Sequence, residues 1–469
     1  MAERSVLGEI VARKRIDVAD RLRGVSLDDL RGQARPTRRS LWAALSRPGA
    51  RFVMEVKRGS PSQGRLRDGV DPKAMALAYR GAADAISVLT DAPYFGGSFA
   101  DLRAVREAYD GPILAKDFVV DPRQVPEARI HGADAVLAML SVLSDAQAAR
   151  VMDEARRLGM DVLVEAHDEA EARRAVRLGA AIVGINNRDL RTLSVDLGVT
   201  ERLAGLIPPD RLVVAESGIA DRAEVERLSP HADAFLVGSS LMRSADPRGA
   251  ARALAFGRVK VCGLTDAHDV ETAAEAGAAY AGFVMVPHTP RAVADGSAER
   301  LARAAAEEGM PVVGVFRDEK VARVADRARG LGLRAVQLHG RETSDYIGAL
   351  RGLLPDECEI WAAGAVDRDL PPPRAGADRT LFDTAVGGRS GGTGRTFDWT
   401  RLKGRSDLGS AVLAGGLKPA NARAASRVGA FALDVGSGVE MAPGRKDAGK
   451  LHAFFEALRA PARGETAPC

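Results

Sequence analysis

The 469-residue sequence has few cysteines, few aromatic side chains and no long apolar run. Its three cysteines, Cys262, Cys358 and Cys469, share no metal-ligand spacing and are odd in number, which argues against a disulfide framework and fits a reducing compartment. Aromatic residues make up 4% of the chain, too few for platforms that stack single-stranded nucleic acid. The longest apolar stretch, residues 276–286, is about half a membrane span, and acidic residues stand where a signal peptide has its apolar core. We therefore expect a cytoplasmic protein without a membrane segment.

An excess of one charge sign is also missing. The chain has 67 Lys and Arg against 63 Asp and Glu, a net charge of +4, and the two signs alternate along segments such as residues 221–227. Such alternation is typical of solvated helix faces rather than of a nucleic-acid-binding surface, and it is compatible with a small anionic substrate. The composition is that of a globular protein, and the length exceeds what one core normally serves, so we expect two domains.

Short runs rich in valine, isoleucine and leucine alternate with amphipathic segments at a spacing of roughly 20–30 residues, the repeat of β-α units. Eight strands are predicted in the first half, at 52–57, 84–89, 112–116, 134–139, 161–165, 181–186, 212–216 and 234–238. Eight more are predicted in the second half, at 259–262, 280–284, 312–316, 335–338, 359–362, 380–383, 411–414 and 431–434. This pattern predicts an α/β fold of two consecutive (β/α)8 TIM barrels. We place the domains at residues 1–256 and 257–469 and expect residues 460–469 to be a frayed tail.

The predicted strands of the first half end in polar or ionisable side chains. Glu55 and Lys57 stand two apart on the first strand and so point to the same side, into the barrel. Four further strand ends carry Lys116, Glu165, Asn186 and Glu216. Because the carboxyl ends of parallel barrel strands converge, these side chains should meet in one site, where burial and mutual charge shift their pKa values.

Lysine is scarce, since only ten of the 67 basic residues are lysine. A lysine ammonium can give up a proton near neutral pH when its pKa is shifted, whereas a guanidinium cannot. Any single Lys–Glu pair is equally well explained as a structural ion pair, but five converging strand ends favour an acid–base site. Two Gly/Ser segments follow the last two strands, Ser217-Gly218 and Gly238-Ser239. Each alone is ordinary turn chemistry, but this position is typical of phosphate sites in barrel enzymes.

These motifs, together with Pro61-Ser62, His167 and residues 187–190, resemble indole-3-glycerol-phosphate synthase over residues 5–256. The resemblance implies closure of an indole ring on carboxyphenylamino-deoxyribulose phosphate with loss of CO2 and water. It implies that Lys116 is the general acid, that Glu165 takes part in proton removal during dehydration, and that Lys57 pairs with the substrate carboxylate. It also implies a set of residues that hold the substrate and its phosphate: Glu55, Asn186, Glu216, Ser60, Arg188, Ser217, Gly218, Gly238 and Ser239.

The second half presents a different pair of reactive groups. Cys262 ends its first predicted strand and Asp383 its sixth. A lone cysteine is more often a small buried hydrophobe, but a thiolate that faces a carboxyl across a barrel end could move a proton between two substrate atoms, as an aldose–ketose isomerisation requires. Three glycine-rich segments follow the last three strands and favour a phosphate site, although the first is also typical of a flexible loop: Gly391–Gly394, Gly415-Gly416 and Gly436–Gly438.

The segment Lys260–Gly263, Pro290-Arg291, Gln337–Gly340 and the motifs above are similar to phosphoribosylanthranilate isomerase over residues 258–458. The resemblance implies an Amadori rearrangement with Cys262 as general base, Asp383 as general acid and Arg291 holding the anthranilate carboxylate. It implies further substrate-binding residues: Gln337, His339, Gly392, Thr393, Gly394, Gly415, Gly416, Asp434, Ser437 and Gly438. Thr289 and Gly436 replace serines that the family commonly has, a small-for-small change that affects only fine phosphate geometry.

The two resemblances fit each other because the isomerase product is the synthase substrate. Both reactions move protons and stabilise charge, so we expect no cofactor and no metal. The expected partners are small anionic phosphosugar-anthranilate substrates, without nucleic acid or membrane, and the expected state is a monomer, with an oligomer left open. Two alternatives remain. A pair of barrels for other sugar phosphates is disfavoured by the carboxylate-binding Arg291 and Lys57, and a scaffold without chemistry would predict broken strand ends.

Overall fold

The structure, a computed structural model, describes residues 6–60, 64–67, 69–367, 369–386, 389–390 and 394–465. The chain forms two compact units. The first runs to Ala255 and includes the chain again from Ala460, and the second is Phe256–Arg459. Each unit is built around its own parallel β-barrel. Within the described ranges, every helix is too short or too polar to cross a membrane.

Eight parallel strands close the barrel of the first unit, with chain order kept around the ring. They are β1 Arg51–Val56, β2 Ala85–Leu89, β3 Ile113–Lys116, β4 Ala135–Met139, β5 Asp161–Ala166, β6 Ile182–Asn186, β7 Leu212–Glu216 and β8 Ala234–Val237. Closure comes from β1 and β8, where Arg51 pairs with Ala234 and Met54 with Val237. A closed barrel has no free sheet edge, so this unit completes its strand pairing within itself.

Aliphatic side chains from alternate strand positions form the core cluster of this barrel, among them Val53, Leu114, Leu163 and Val214, all without exposed surface. The intervening residues, such as Phe52, are equally buried on the other side of the sheet. Burial on both sides explains why the strands read as continuous apolar runs. Truncation of one such leucine, for example Leu163→Ala, would cost about 2–5 kcal/mol of stability.

The helices of the first unit are Val6–Arg21, Leu27–Gln33, Leu41–Leu45, Pro72–Ala78, Ala92–Phe95, Phe99–Ala108, Gln124–Ile130, Asp145–Arg157, Glu169–Arg177, Gly198–Leu203, Arg222–Leu228, Ser239–Arg243 and Pro247–Phe256, the last ending one residue into the second unit. A 3-10 turn, Ala204–Leu206, and a hairpin of Gly59–Ser60 with Gly64–Arg65 complete it. Polar N-caps start several helices; Asp168, for instance, accepts the N–H of Glu171 at 2.9 Å. Such a cap contributes about 1 kcal/mol.

The second unit closes an eight-stranded parallel barrel in the same chain order. Its strands are β9 Val259–Cys262, β10 Tyr280–Val284, β11 Val312–Phe316, β12 Ala335–Leu338, β13 Glu359–Val366, β14 Arg379–Val386, β15 Val412–Leu413 and β16 Ala432–Val435. The core cluster contains Val313, Trp361 and Leu381, each 1% exposed or less, with the Tyr280 ring edge-on to Trp361 at 5.5 Å. The α-helices are Ala267–Ala276, Asp295–Glu307, Val321–Leu331, Ser344–Arg351, Ala422–Ser426 and Ala448–Leu458. Shorter elements are the 3-10 turns Trp399–Leu402, Leu408–Ser410, Pro419–Asn421 and Ser437–Val439 and the strands Arg389–Ser390, Glu440–Ala442 and Arg445–Lys446.

The predicted fold of two consecutive (β/α)8 barrels is confirmed, and each of the predicted strands overlaps an observed one. The main differences are in length. Strands β13 and β14 extend to Val366 and Val386, about four and three residues past their predicted ends. The extension of β13 passes through Ala363-Gly364-Ala365, small residues that give only a weak strand signal.

The end of the chain differs from the expected frayed tail. The N–H of Ala50 donates to Ala460 O at 2.8 Å, and the N–H of Arg463 donates to Ala232 O at 3.2 Å. The Arg463 guanidinium donates to four backbone carbonyls, those of Ala204, Ile207, Pro208 and Arg211. These bonds place residues 460–465 in the first unit, although the sequence assigned residues 257–469 to the second domain. Residues 466–469 lie outside the described ranges.

Candidate active sites at the strand ends of the two barrels

A cavity of about 250 Å³ lies at the carboxyl ends of the first barrel's strands. Its lining includes the predicted acid–base residues Glu55, Lys57, Lys116, Glu165, Asn186 and Glu216. It also includes the predicted binding residues Arg188, Ser217, Gly218, Gly238 and Ser239. The strands run parallel, so their carboxyl ends deliver these side chains to one place.

Lys116 lies at the centre of the charged cluster. Its Nζ is 2.5 Å from Glu216 Oε2 and 3.4 Å from Glu165 Oε2. Asn186 Nδ2 donates to Glu165 Oε1 at 3.1 Å, and Lys57 Nζ lies 2.7 Å from Glu55 Oε1. The cluster therefore alternates positive and negative groups within a largely buried site.

The electrostatic surroundings push the cluster's pKa values apart. Burial lowers the pKa of Lys116, but the carboxylates of Glu216 and Glu165 outweigh it and hold that pKa above its usual value. Burial also raises the pKa of Glu165, yet Lys116, His167 and Asn186 together hold it below its usual value. For Glu216 burial dominates and, with the charge of Glu165, raises the pKa to about 7 despite Lys116. One carboxyl is therefore kept ionised while its neighbour titrates near neutrality.

Two glycines make room for the carboxylates. A Cβ on Gly184 would lie 2.1 Å from Glu216 Oε1, and a Cβ on Gly238 would lie 2.3 Å from Glu55 Oε1. Glu216 Oε1 is buried without a hydrogen-bond partner among the described residues, which leaves it available to a ligand. Sequence reasoning assigned Gly238 only to phosphate and did not single out Gly184.

The first of the two predicted phosphate segments has an unusual backbone. Ser217 and Gly218 both adopt left-handed φ values, 65° and 88°, and Asn187 Nδ2 donates to Ser217 O. Turns of this kind can direct successive backbone N–H groups toward an anion. Arg188 is held by donation of its Nη1 to Leu193 O at 2.9 Å. The backbone of Ser60 pairs with Gly64, and Pro61-Ser62 lie outside the described ranges.

The helix Val6–Arg21 contributes Val6, Leu7 and Ile10 to the cavity lining. It is fixed by Lys14, 3% exposed, whose Nζ lies 2.7 Å from Asp91 Oδ1 and 2.6 Å from Asp117 Oδ1. Asp117 directly follows Lys116, so one buried ammonium ties the helix to the end of β3. Sequence reasoning missed Lys14; the scarcity of lysine was the available signal.

The second barrel has a cavity of about 790 Å³ at the same end. Its lining contains the predicted residues Cys262, Asp383, Arg291, Gln337, His339, Gly415, Gly416, Asp434 and Ser437. Gly394 has a left-handed φ of 69°, and Gly438 fits only as glycine because a Cβ there would lie 1.9 Å from Leu417 O. Gly391, Gly392 and Thr393 lie outside the described ranges.

Cys262 lies beside a buried charge pair that the sequence reasoning did not use. Lys260, two residues earlier on β9 and fully buried, places Nζ 2.8 Å from Asp434 Oδ2. Burial raises the pKa of the Cys262 thiol, and the Lys260 ammonium opposes that rise. Asp434 Oδ1 has no hydrogen-bond partner in the described part of the chain. The signal for Lys260 was its place two residues before Cys262, on the same side of the strand.

Asp383 and Arg291 each have their own partner. His339 Nε2 lies 3.3 Å from Asp383 Oδ2, and His339 Nδ1 lies 3.1 Å from Gln337 Nε2. Arg291 forms a two-bond ion pair with Glu440, at 2.9 and 2.6 Å. Glu440, two residues after the glycine-rich segment Gly436–Gly438, was not predicted from the sequence, and the structure shows that it orients the guanidinium. No group of three or more metal-ligating side chains occurs among the residues that the structure describes.

Two family models match the chain, indole-3-glycerol phosphate synthase over residues 7–254 and N-(5'phosphoribosyl)anthranilate (PRA) isomerase over residues 259–457. The tryptophan biosynthesis protein TrpCF of Salmonella typhi is 43% identical over 97% of this chain and 99% of its own length. The TrpCF protein of Vibrio parahaemolyticus is 44% identical over 98% and 95%. The crystal structure of phosphoribosyl anthranilate isomerase from Thermus thermophilus is 33% identical over 43% of this chain and 98% of its own, with a TM-score of 0.37. The chain thus belongs to the family of bifunctional tryptophan-biosynthesis enzymes that join an indole-3-glycerol phosphate synthase to a PRA isomerase.

Proposed function

We propose that each of the two reactions is carried by the strand-end site of one barrel, isomerisation by Cys262 and Asp383 and ring closure by Lys116 and Glu165. The isomerase converts N-(5-phosphoribosyl)anthranilate into carboxyphenylamino-deoxyribulose 5-phosphate, and the synthase closes the indole ring to give indole-3-glycerol phosphate. The observation that supports this assignment most directly is the Lys116 ammonium between the carboxylates of Glu165 and Glu216.

Ring closure needs a proton at the substrate ketone oxygen while the aromatic carbon that carries the carboxylate attacks the ketone carbon. The Lys116 ammonium supplies that proton. Departure of CO2 restores the benzene ring. The new hydroxyl then leaves as water, and the indole double bond forms when a proton is removed from the carbon between the nitrogen and the former ketone carbon. Glu165, held ionised by its neighbours, accepts that proton.

Binding of the synthase substrate is divided between its two anionic ends. Lys57, 13% exposed at the end of β1, pairs with the substrate carboxylate. The phosphate is held by Ser217, Gly218, Gly238 and Ser239, and five further residues orient the body of the substrate: Glu55, Asn186, Glu216, Ser60 and Arg188.

Isomerisation moves a proton between two substrate atoms. Asp383 protonates the sugar ring oxygen as its bond to C1 breaks, and the Cys262 thiolate removes the proton from C2 to give an enolamine. The enolamine becomes the ketone when C1 gains a proton and the C2 hydroxyl loses one. Arg291, oriented by Glu440, holds the anthranilate carboxylate. Glycine-rich segments bind the phosphate and polar side chains bind the sugar; the proposed binding residues are Gln337, His339, Gly392, Thr393, Gly394, Gly415, Gly416, Asp434, Ser437 and Gly438.

Both family descriptions name phosphorylated compounds, so the partners of this chain include phosphorylated small molecules. We extend this to a monomer that acts in the cytoplasm without cofactor, metal, nucleic acid or membrane. The balanced charge and the proton-transfer nature of both reactions support this extension.

The test supplies N-(5-phosphoribosyl)anthranilate and follows both its loss and the formation of indole-3-glycerol phosphate. We expect Cys262→Ala to abolish isomerisation and to leave ring closure of added intermediate intact. Cys358→Ala is the matched control, since Cys358 is buried in the same unit and does not line the cavity. Loss of ring closure in Cys262→Ala with folding intact would refute the division of labour between the barrels.

A further inference from the structure

His167 lies two residues after Glu165, just beyond the end of β5, and its ring is sandwiched between two carboxylates. Its Nε2 lies 3.1 Å from Glu165 Oε1, an ion-pair contact without a hydrogen bond, and its Nδ1 lies 3.1 Å from Glu171 Oε2. The side chain is 14% exposed and is absent from the residues that line the cavity. His167 therefore contacts the proposed base without reaching the substrate.

The second carboxylate is fixed by secondary structure. Glu171 is the third residue of the helix Glu169–Arg177, and its N–H is held by the Asp168 cap. Glu171 Oε2 also accepts the backbone N–H of His167 at 2.8 Å. The helix start, Glu171 and the imidazole thus form one rigid support behind Glu165.

The charges around this support favour an imidazolium. Burial lowers the pKa of His167, but Glu165 and Glu171 outweigh it and raise the pKa to about 10. Around Glu165 itself the charged groups are Lys116 from β3, Glu216 from β7 and His167. His167 supplies a positive charge on the side of Glu165 opposite to the Lys116 contact, since the two bind different carboxylate oxygens.

We propose that His167 is a positioning residue of the synthase, whose charge beside Oε1 orients Glu165 and leaves Oε2 as the oxygen that exchanges protons in the site. Asn186 donates to the same Oε1, whereas Oε2 faces Lys116. This inference rests on the proposed role of Glu165 in ring closure. The helix Glu169–Arg177 holds the imidazole through Glu171, and the imidazole in turn orients the Glu165 carboxylate.

The test compares His167→Gln with Glu165→Gln and His131→Gln in the full-length protein. His167→Gln keeps a donor and removes the charge, so the pKa of Glu165 rises and the acidic limb of synthase kcat moves to higher pH. We expect kcat at neutral pH to fall by up to about 10²-fold, the cost of misplacing a reacting group by about 1 Å, with KM nearly unchanged. His131, in the same unit and outside the cavity lining, is the matched control and should leave both parameters unchanged.

Isomerase activity of the same chain reports on its integrity in each variant. An unmoved acidic limb in His167→Gln, whether or not turnover falls, overturns the proposal, because a structural role alone would not change the pH profile. His167→Asn also removes the charge and keeps a polar side chain, so we expect a shift in the same direction; it serves as the test should His167→Gln fail to fold. Full synthase activity in Glu165→Gln would instead refute the proposed role of Glu165, independently of His167.

Discussion

The two barrels place reactive side chains at the same strand ends but surround them differently. In the first site the ammonium of Lys116 contacts the carboxyl groups of both Glu165 and Glu216. In the second site Cys262 and Asp383 each have a neighbour of their own, Lys260 and His339. The barrel fold thus places the side chains at the strand ends, whereas the charged groups beside each side chain set its pKa and its protonation state.

The two sites therefore differ in what sets the protonation state of their titratable side chains. The first site keeps the Lys116 ammonium charged and the Glu165 carboxyl ionised at neutral pH, because each stabilises the charged form of the other. In the second site burial raises the pKa of the Cys262 thiol, and two nearby cations, Lys260 and more weakly Lys446, oppose that rise. A change of one charged residue should therefore affect the whole cluster in the first barrel and mainly one proton transfer in the second.

The largest expected effect is on ring closure in Lys116→Arg. The guanidinium keeps the positive charge beside Glu216 but cannot release a proton, so we expect synthase turnover to fall by about 10²–10⁴-fold, with substrate binding largely retained. Isomerase activity should not change. The measurement is kcat and KM of both reactions, with exposed Lys73→Arg as the control. Normal turnover in Lys116→Arg would make Lys116 an electrostatic anchor and not the acid.

A smaller effect is expected in the second barrel from Lys260→Gln. Removal of the ammonium raises the pKa of Cys262 further, so the rising limb of isomerase activity should move to higher pH. Each pKa unit lowers the thiolate fraction at neutral pH by roughly tenfold. Exposed Lys320→Gln is the control, and synthase activity of the same protein verifies that the chain is intact. A pH profile identical to that of the wild type would show that Lys260 serves Asp434 alone.

The strand ends were predictable because they are local. A buried parallel strand is a continuous apolar run, so an ionisable residue at its end, such as Lys116 or Cys262, interrupts the pattern visibly. The supports of these residues were not predictable. The contact of Lys14 with Asp91 and Asp117 joins segments that are distant in sequence. The spacing of Glu165, His167 and Glu171 does not reveal that the imidazole lies between the two carboxylates. Such contacts depend on which loops meet, which local periodicity does not encode.

The titration of Glu216 provides a test of the charges in the first site that does not depend on turnover. Burial and the charge of Glu165 raise its pKa to about 7, so this carboxyl should lose its proton as the pH rises through neutrality. Infrared difference spectra should show a protonated carboxyl band that disappears across that range in the wild type and is absent in Glu216→Gln. The control is Asp145→Asn, which changes an exposed carboxylate. Asp134→Asn would not serve, because Asp134 is buried and pairs with two arginines. Persistence of the band in Glu216→Gln would assign the titration to another group.

The smallest expected effect concerns the chain end, which distinguishes the two units in stability rather than in chemistry. Arg463 donates to four carbonyls of the loop 204–211 and lies 3.6 Å from Asp233, all within the first unit. Arg463→Ala removes these charged donors, so we expect the first unit to lose about 1–3 kcal/mol while both reactions keep their rates at low temperature. Heating followed by separate assays should show synthase activity lost at a lower temperature than in the wild type, with loss of isomerase activity unchanged. Exposed Arg445→Ala is the control.

The contacts of the chain end also predict the behaviour of residues 1–256 expressed alone. We expect this fragment to fold and to close the ring, but to unfold at a lower temperature than the same unit in the full chain, because residues 460–465 are missing. A synthetic peptide of residues 458–469 should then raise that melting temperature, and the peptide carrying Arg463→Ala should not; equal effects of the two peptides would show that Arg463 does not anchor the chain end.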